Sequence, residues 1–250
     1  MIRYLSLEFY KIRRRGVFLT ALLLCGVEGA WTAYSVQSYF EENGANLIWN
    51  NLFTNLAMLH GLFLPLAIAV LSSRICDMEH KGDTWKLLGT AAEPMGKLYF
   101  AKFLCTFLLL TVTLVLELAA LLTFAAWQGF PGPIPVGLVG KVFLGTMLVS
   151  VFVLALQQWI AMAVPNQLVA LIAGMAGSFL GLVGALFPAQ RACLPWCGYA
   201  ELSSVQAVPL GDHEWQYLAM DPNIVPALFV FVLGIIVYFL GKRRLCRKEF

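Results

Sequence analysis

The sequence predicts an all-α polytopic membrane protein with six transmembrane helices. The 250 residues are 60% hydrophobic and only 12% charged, whereas about 25% of the residues of a soluble domain are charged. Six stretches are apolar over about the 20 residues that a helix needs to cross a bilayer, and none shows the alternation of a β-barrel strand. This composition excludes an ordinary soluble enzyme, a nucleic-acid-binding domain and a disordered chain.

The six predicted spans organise residues 1–250 as a single transmembrane domain. The first span is too long for the apolar part of a cleaved signal peptide, carries Glu28 near its centre and is not followed by a polar mature domain. We predict spans at residues 17–36, 52–71, 103–127, 142–164, 168–187 and 224–240.

The distribution of Lys and Arg predicts that both termini are cytoplasmic. These residues concentrate in the N-terminal segment, the second connection and the C-terminal tail, and the other connections hold only Lys141 and Arg191. Six spans place the three basic segments on one side of the membrane, and cytoplasmic loops carry the excess of Lys and Arg. Residues 188–222 then form an extracellular loop.

Residues 1–16 are predicted to form an amphipathic helix in the cytoplasmic membrane interface. Ile2, Leu5, Phe9 and Ile12 recur at helical spacing, and basic residues cluster at the end of the segment. We expect this helix to anchor the first span and to touch a partner. A simple topology signal explains the basic residues equally well.

Residues 74–97 form the largest predicted cytoplasmic connection. The segment is too long for a tight turn and too short for a domain, and residues 77–88 contain good helix formers that Gly89 can terminate. The other cytoplasmic connection, residues 165–167, is nearly minimal. The inner face therefore offers one projecting surface, which is a predicted helix.

The chain has no motif for binding ATP or for common hydrolytic chemistry. The sequences G-x-x-x-x-G-K-[ST], H-E-x-x-H and G-x-S-x-G are absent, and no Cys-x-x-Cys pairs occur. We therefore predict no cofactor or metal on this chain and no enzymatic activity. A metal site between His60 and a membrane glutamate is the less expected alternative to pairing of His60 with a neighbouring helix.

Glu28 and Glu117 are the acidic residues inside the predicted spans. Each costs about 2.5–3.5 kcal/mol at mid-membrane on insertion scales, so each should face protein or water. A rise of about 1.5 Å per residue places them at similar depths. We expect both, with His60, to line a substrate pathway that attracts a cationic peptide. Alternatively, each is protonated or hydrogen-bonded to a neighbour such as Asn55, His60 or Gln157.

Small residues in the fifth span and two cysteines in the last outer loop allow further contacts. Gly174, Gly177, Gly181 and Gly184 share one helix face, which lets another helix approach closely. This face serves either internal packing or contact with a second membrane chain. Cys193 and Cys197 lie on the predicted extracellular side, where a disulfide is possible; a helical stretch would bridge them only with distortion.

Three segments carry a resemblance to a known family. The first is LEFYKIRR at residues 7–14, an acidic-then-basic helix start; the second is EHKGDTWKLL at residues 79–88; the third is LPW at residues 194–196. With its six-span topology, the chain resembles the permease subunits of type-2 ABC exporters, and most of all the small permeases of lantibiotic-immunity transporters.

The resemblance implies partners for this chain. It implies a separate cytoplasmic ABC ATPase, which would hold ATP and Mg²⁺, a second permease chain that is identical or paralogous, and short re-entrant helices in the last outer loop. The interfacial helix residues carried over are Glu8, Lys11 and Arg13. The residues implied in coupling to the ATPase are Asp77, Glu79, Gly82, Thr84, Trp85 and Leu88.

The resemblance also implies a function, which is the export of an amphipathic antimicrobial peptide from the bacterial plasma membrane. Drugs, lipids or another peptide are alternative cargoes. An intramembrane hydrolase or a sensor without an ATPase partner is an alternative of another class. Recovery of a P-loop ATPase with the purified chain would separate the transporter from both.

Overall fold

The computed structural model of the chain describes residues 1–13, 16–44, 46–81, 95–187, 194–211 and 214–247. A short helix, α1 (Ile2–Ile12), precedes six helices that are long and apolar enough to cross a membrane, so the prediction of six membrane helices is confirmed. The six are α2 (Val17–Asn43), α3 (Ile48–Lys81), α4 (Met95–Trp127), α5 (Val136–Ala163), α6 (Gln167–Leu186) and α7 (Val225–Cys246).

The helices on both sides of the second connection are longer than the spans predicted there. Helix α3 has 34 residues, which is about 50 Å of helix, against about 30 Å for the bilayer core. It continues through Asp77 to Lys81, so these residues extend the second span and do not belong to the separate coupling helix that the sequence predicted. Helix α4 begins at Met95, before the predicted start of its span. The remainder of the predicted coupling helix, with Gly82, Thr84, Trp85 and Leu88, lies outside the described residues.

Helix α3 is the central helix of the bundle. It packs against α2, α4, α5 and α6, and a larger share of its apolar window is buried than in any other described span. Helix α5 also packs along α7, and α1 lies against α4. Because burying an unpaired polar group costs free energy, the polar side chains of such a surrounded helix should have partners inside the protein.

The small-residue face of α6 packs inside the chain, against α3 and the last outer loop. A Cβ on Gly181 would overlap the backbone carbonyl of Gly61 on α3, and one on Gly174 would meet Ala69. Gly177 faces the Trp196 indole, and Gly184 faces Cys197. Of the two uses that the sequence left open, the structure places this face in internal packing.

The described part of the last outer loop includes a 3-10 helix, Pro195–Leu202, which is buried against α3, α5, α6 and α7. Ser204 follows it and is tied to α3, because its N–H donates to the Thr54 hydroxyl (3.0 Å) and its carbonyl accepts from the Asn50 amide (3.1 Å). The Cys197 thiol donates to the Leu180 carbonyl. Cys193 lies outside the described residues, so its disulfide with Cys197 stays a prediction.

The second half of this loop is a β-hairpin, which the expectation of short re-entrant helices did not include. Strands β1 (Val205–Gly211) and β2 (Glu214–Ala219) form an antiparallel hairpin, with Val205 opposite Ala219 and Gln206 opposite Leu218. Val, Trp and Tyr favour strands, and Gly211 lies next to the connection, where turns favour glycine. The local sequence therefore favours a hairpin over a helix.

Candidate functional site

The two intramembrane glutamates face the same histidine. Glu28 on α2 and Glu117 on α4 approach His60 on α3, with His60 Nε2 at 3.7 Å from Glu28 Oε1 and at 3.7 Å from Glu117 Oε2. The relative exposures are 0%, 8% and 4% for Glu28, Glu117 and His60. We call these three residues the acid–histidine cluster. The cluster joins the central helix α3 to α2 and α4, whose glutamates the sequence analysis predicted to lie at similar depths in the membrane.

Few polar atoms of the acid–histidine cluster form hydrogen bonds. His60 Nδ1 lies 3.3 Å from the Thr146 hydroxyl of α5. Within the described part of the chain, His60 Nε2 and all four carboxylate oxygens have no hydrogen-bond partner, and no Lys or Arg pairs with either glutamate. Burying carboxylates without compensation costs several kcal/mol, so the cluster requires a proton or a cation.

The other neighbours proposed from the sequence make different contacts. The Asn55 amide donates to the Asn51 carbonyl and side chain, one turn earlier on α3. Gln157 on α5 lies beside the backbone of Ala170 and Gly174 on α6. His60 is therefore the one of these three candidates that faces the glutamates.

Two cavities border the acid–histidine cluster. A small one of about 20 Å³ is lined by His60, Glu117 and Thr146 among apolar side chains. A larger one of about 330 Å³ runs between α2 and α4, with Cys25 and Glu117 on its wall. Exposed residues such as Leu116 form its rim. The larger cavity therefore connects the surface of the bundle with one of the buried acids.

A second buried polar site lies at the end of the bundle that is predicted to be cytoplasmic. Lys102 of α4 is fully buried, and its Nζ lies 2.8 Å from Glu8 Oε2 and 3.0 Å from Glu79 Oε1. Lys11 Nζ lies 2.7 Å from Glu79 Oε1 and 3.1 Å from Glu8 Oε1. We call Glu8, Lys11, Glu79 and Lys102 the ion cluster. Its formal charges cancel.

The ion cluster joins three helices that the hydropathy pattern of the sequence shows only as separate segments. Glu8 and Lys11 belong to α1, Glu79 to the end of α3 and Lys102 to α4; Lys102 also donates to the Ile75 carbonyl (3.2 Å). Helix α1 is thereby fixed to the end of α3, which carries the predicted coupling residues Asp77 and Glu79. Sequence reasoning counted Lys102 among the basic residues of the second connection and gave it no partner. The signal that could have found its role is its position inside an apolar helix, where a cation requires a partner.

Two further predicted site residues, Arg13 and Asp77, lie near this end. Arg13 is exposed and follows α1, where its backbone N–H donates to the Phe9 carbonyl. Asp77 forms an ion pair with Lys81 one turn later (2.7 Å). An i,i+4 pair of this kind contributes about 0.3–0.5 kcal/mol to a helix, so it supports the extension of α3.

Comparison with protein families decides what kind of bundle this is. The model of the ABC-2 family of transporter proteins matches residues 4–181. The chain belongs to the ABC-2 transporter family. The matched range contains both the acid–histidine cluster and the ion cluster. A search of curated proteins gives no match.

Membership of the ABC-2 family confirms the prediction of a type-2 ABC permease. The protein is a multi-pass membrane transport subunit, and its family implies association with an ABC ATPase. Transport subunits of this kind are generally not catalytic themselves. The finer prediction, lantibiotic immunity, stays a prediction.

Proposed function

We propose that this ABC-2 permease exports a cationic, amphipathic antimicrobial peptide from the bacterial plasma membrane and so protects the cell that makes it. The observation that carries the proposal is the acid–histidine cluster, in which two buried carboxylates have no Lys or Arg partner among the described residues. A cationic group of the cargo is the complement that such a site lacks. Drugs, lipids or another peptide are the alternative cargoes.

The cavity between α2 and α4 supports a route for such a cargo. Its rim is exposed on a bundle whose outer surface is apolar, and Glu117 lies on its wall. An amphipathic peptide in the membrane can present apolar side chains to the rim and an ammonium group to the carboxylate. Hydrogen bonds to charged groups contribute about 1.5–3 kcal/mol, which is enough to select cationic over neutral cargo.

The glutamates can be tested by removing their charge but not their shape. We expect the double variant Glu28→Gln, Glu117→Gln to lower resistance to a cationic peptide by about tenfold or more, from the loss of charged hydrogen bonds. The matched control is Glu41→Gln, Glu42→Gln, which removes two exposed acids at the end of α2. Growth against a peptide dilution series measures the effect. Unchanged resistance at normal membrane expression removes these acids from the pathway.

We also propose that ATP hydrolysis on the partner ATPase drives transport through the connection between α3 and α4, in an assembly with a second permease chain. The Asp77–Lys81 ion pair lies at the α3 end of this connection, and the ion cluster joins that end to α1 and α4; both support a rigid attachment. Closure of the ATPases would then push the connection and tilt the bundles against each other.

This coupling can be tested at Trp85, an aromatic side chain of the predicted coupling helix. We expect Trp85→Ala to reduce the amount of ATPase that co-purifies with the permease in mild detergent, because aromatic anchors dominate many interfaces. Membrane insertion should be unchanged, and Trp127→Ala, at an exposed tryptophan of α4, is the control. Full recovery of the ATPase with Trp85→Ala would show that this residue is not the contact.

A further inference from the structure

Cys25 lies close enough to the acid–histidine cluster to complete a set of metal-binding donors. The Cys25 sulfur, one oxygen of Glu28 and one oxygen of Glu117 all lie within 4.8 Å of one another. His60 Nε2 lies 3.7 Å from an oxygen of each glutamate. One thiol and two carboxylates, from α2 and α4, therefore lie together inside the bundle, and the His60 imidazole of α3 borders both carboxylates.

The distances from His60 to the two carboxylates are close to those between the ligands of a tetrahedral metal ion. Metal–nitrogen and metal–oxygen bonds of about 2.0–2.1 Å place neighbouring ligands about 3.3 Å apart. The observed 3.7 Å between His60 Nε2 and each carboxylate oxygen is longer by a few tenths of an ångström. The Cys25 sulfur, within 4.8 Å of an oxygen of each glutamate, has further to move, so metal binding requires side-chain rotation.

The surroundings of His60 favour a metal ion in the same place. When Nδ1–H donates to the Thr146 hydroxyl at 3.3 Å, Nε2 carries a lone pair directed at two carboxylates, and three acceptors face one another. A cation at their centre relieves this repulsion. Histidines that ligate metals commonly donate their second ring N–H to such an outer group.

Space and charge also match an ion. The cavity of about 20 Å³ beside His60, Glu117 and Thr146 can hold a single water-sized species. The larger cavity with Cys25 and Glu117 on its wall provides a path. The thiol binds as a thiolate after releasing its proton to solvent, and one of the two carboxyl groups keeps its proton, so that two negative charges balance the two positive charges of the ion.

We propose that Cys25, Glu28, His60 and Glu117 bind a divalent transition-metal ion of the Zn²⁺ type between α2, α3 and α4. Thiolate and imidazole donors select such an ion over Mg²⁺ or Ca²⁺, which prefer oxygen ligands alone. The bound ion occupies the carboxylates that the proposed function assigns to cargo, so metal and cationic peptide compete. Only this competition rests on the proposed function; the binding itself does not.

The test uses the full-length permease, purified with its ATPase in lipid nanodiscs, and Co²⁺ as a spectroscopic stand-in for Zn²⁺. We expect stoichiometric binding of Co²⁺ with a thiolate-to-cobalt absorption band, and displacement of Co²⁺ by Zn²⁺. Cys25→Ser should abolish the band and, like Glu28→Gln, weaken Co²⁺ binding by about tenfold or more, since even outer-group losses cost 10–100-fold. Cys105→Ser, at a buried cysteine of α4, is the matched control and should leave both unchanged.

The outcomes separate this inference from the proposed function. Absence of stoichiometric Co²⁺ and Zn²⁺ binding by the wild type, or equal spectra for Cys25→Ser and Cys105→Ser, overturns the metal site. Neither result bears on peptide resistance, which is measured with the glutamine variants. Metal binding together with unchanged resistance of Glu28→Gln, Glu117→Gln supports the metal site and removes the cargo site.

Discussion

Replacing Lys102 with methionine is expected to lower the free energy of unfolding of the permease by about 3–5 kcal/mol. Methionine is one atom shorter than lysine and keeps an unbranched apolar side chain, but it removes the charge. Glu8 and Glu79, which are 1% and 2% exposed, then lose the cation that lies within 3.0 Å of both. Lys11 still contacts both acids, but it is partly exposed and does not replace a fully buried cation.

The matched control for this prediction is Lys97→Met on the same helix. Lys97 is exposed, so its replacement should change stability by no more than about 0.5 kcal/mol. Thermal unfolding of both variants in one detergent gives the comparison. A second variant, Lys102→Met with Glu8→Gln and Glu79→Gln, removes the buried charges as well, and it should recover part of the loss. Equal melting temperatures for Lys102→Met and Lys97→Met would contradict a stabilising ion cluster.

The fold class followed from the sequence because a bilayer leaves few choices. Backbone groups in lipid have to be paired within the segment, so an apolar stretch of sufficient length is a helix. Hydropathy does not show where such a helix ends once it has left the membrane. Ser72, Ser73 and Arg74 mark a membrane boundary in the sequence, yet α3 continues to Lys81.

The depth of the candidate site could be predicted, but its partners could not. Counting residues along α2 and α4 placed Glu28 and Glu117 at similar depths, and the structure brings both to His60. The rotation of each helix about its axis decides which neighbour an acid faces, and the hydrophobic pattern of these spans does not fix it. Asn55, His60 and Gln157 were therefore equal candidates until the helices were packed.

The ion cluster shows a different limit of sequence reasoning. Lys102 and Glu8 are separated by 94 residues, and no local pattern connects them. Counting Lys and Arg for topology treats each charge as solvent-exposed, which misses a cation buried between three elements. The hairpin at β1 and β2 was missed because the resemblance implied helices, although the residues of that segment favour strands.

Replacing Gly181 with alanine is expected to separate α3 from α6 and to destabilise the permease by about 1–3 kcal/mol, as overpacking of a close contact does. The new Cβ would overlap the carbonyl of Gly61, which is backbone and cannot rotate away. The reciprocal change, Gly61→Ala, places its Cβ 3.1 Å from the Gly181 carbonyl, so a smaller loss is expected.

Gly26→Ala on α2 completes a graded series, because nothing lies within 4 Å of a Cβ added there. Alanine is favoured over glycine in a helix by about 0.8–1.0 kcal/mol, so this variant should be as stable as the wild type or more stable. Melting temperatures in one detergent should therefore fall in the order Gly26→Ala, Gly61→Ala, Gly181→Ala. If Gly181→Ala instead had the same melting temperature as Gly26→Ala, α3 and α6 could not be in backbone contact. The glycine face of α6 would then be available to a second permease chain.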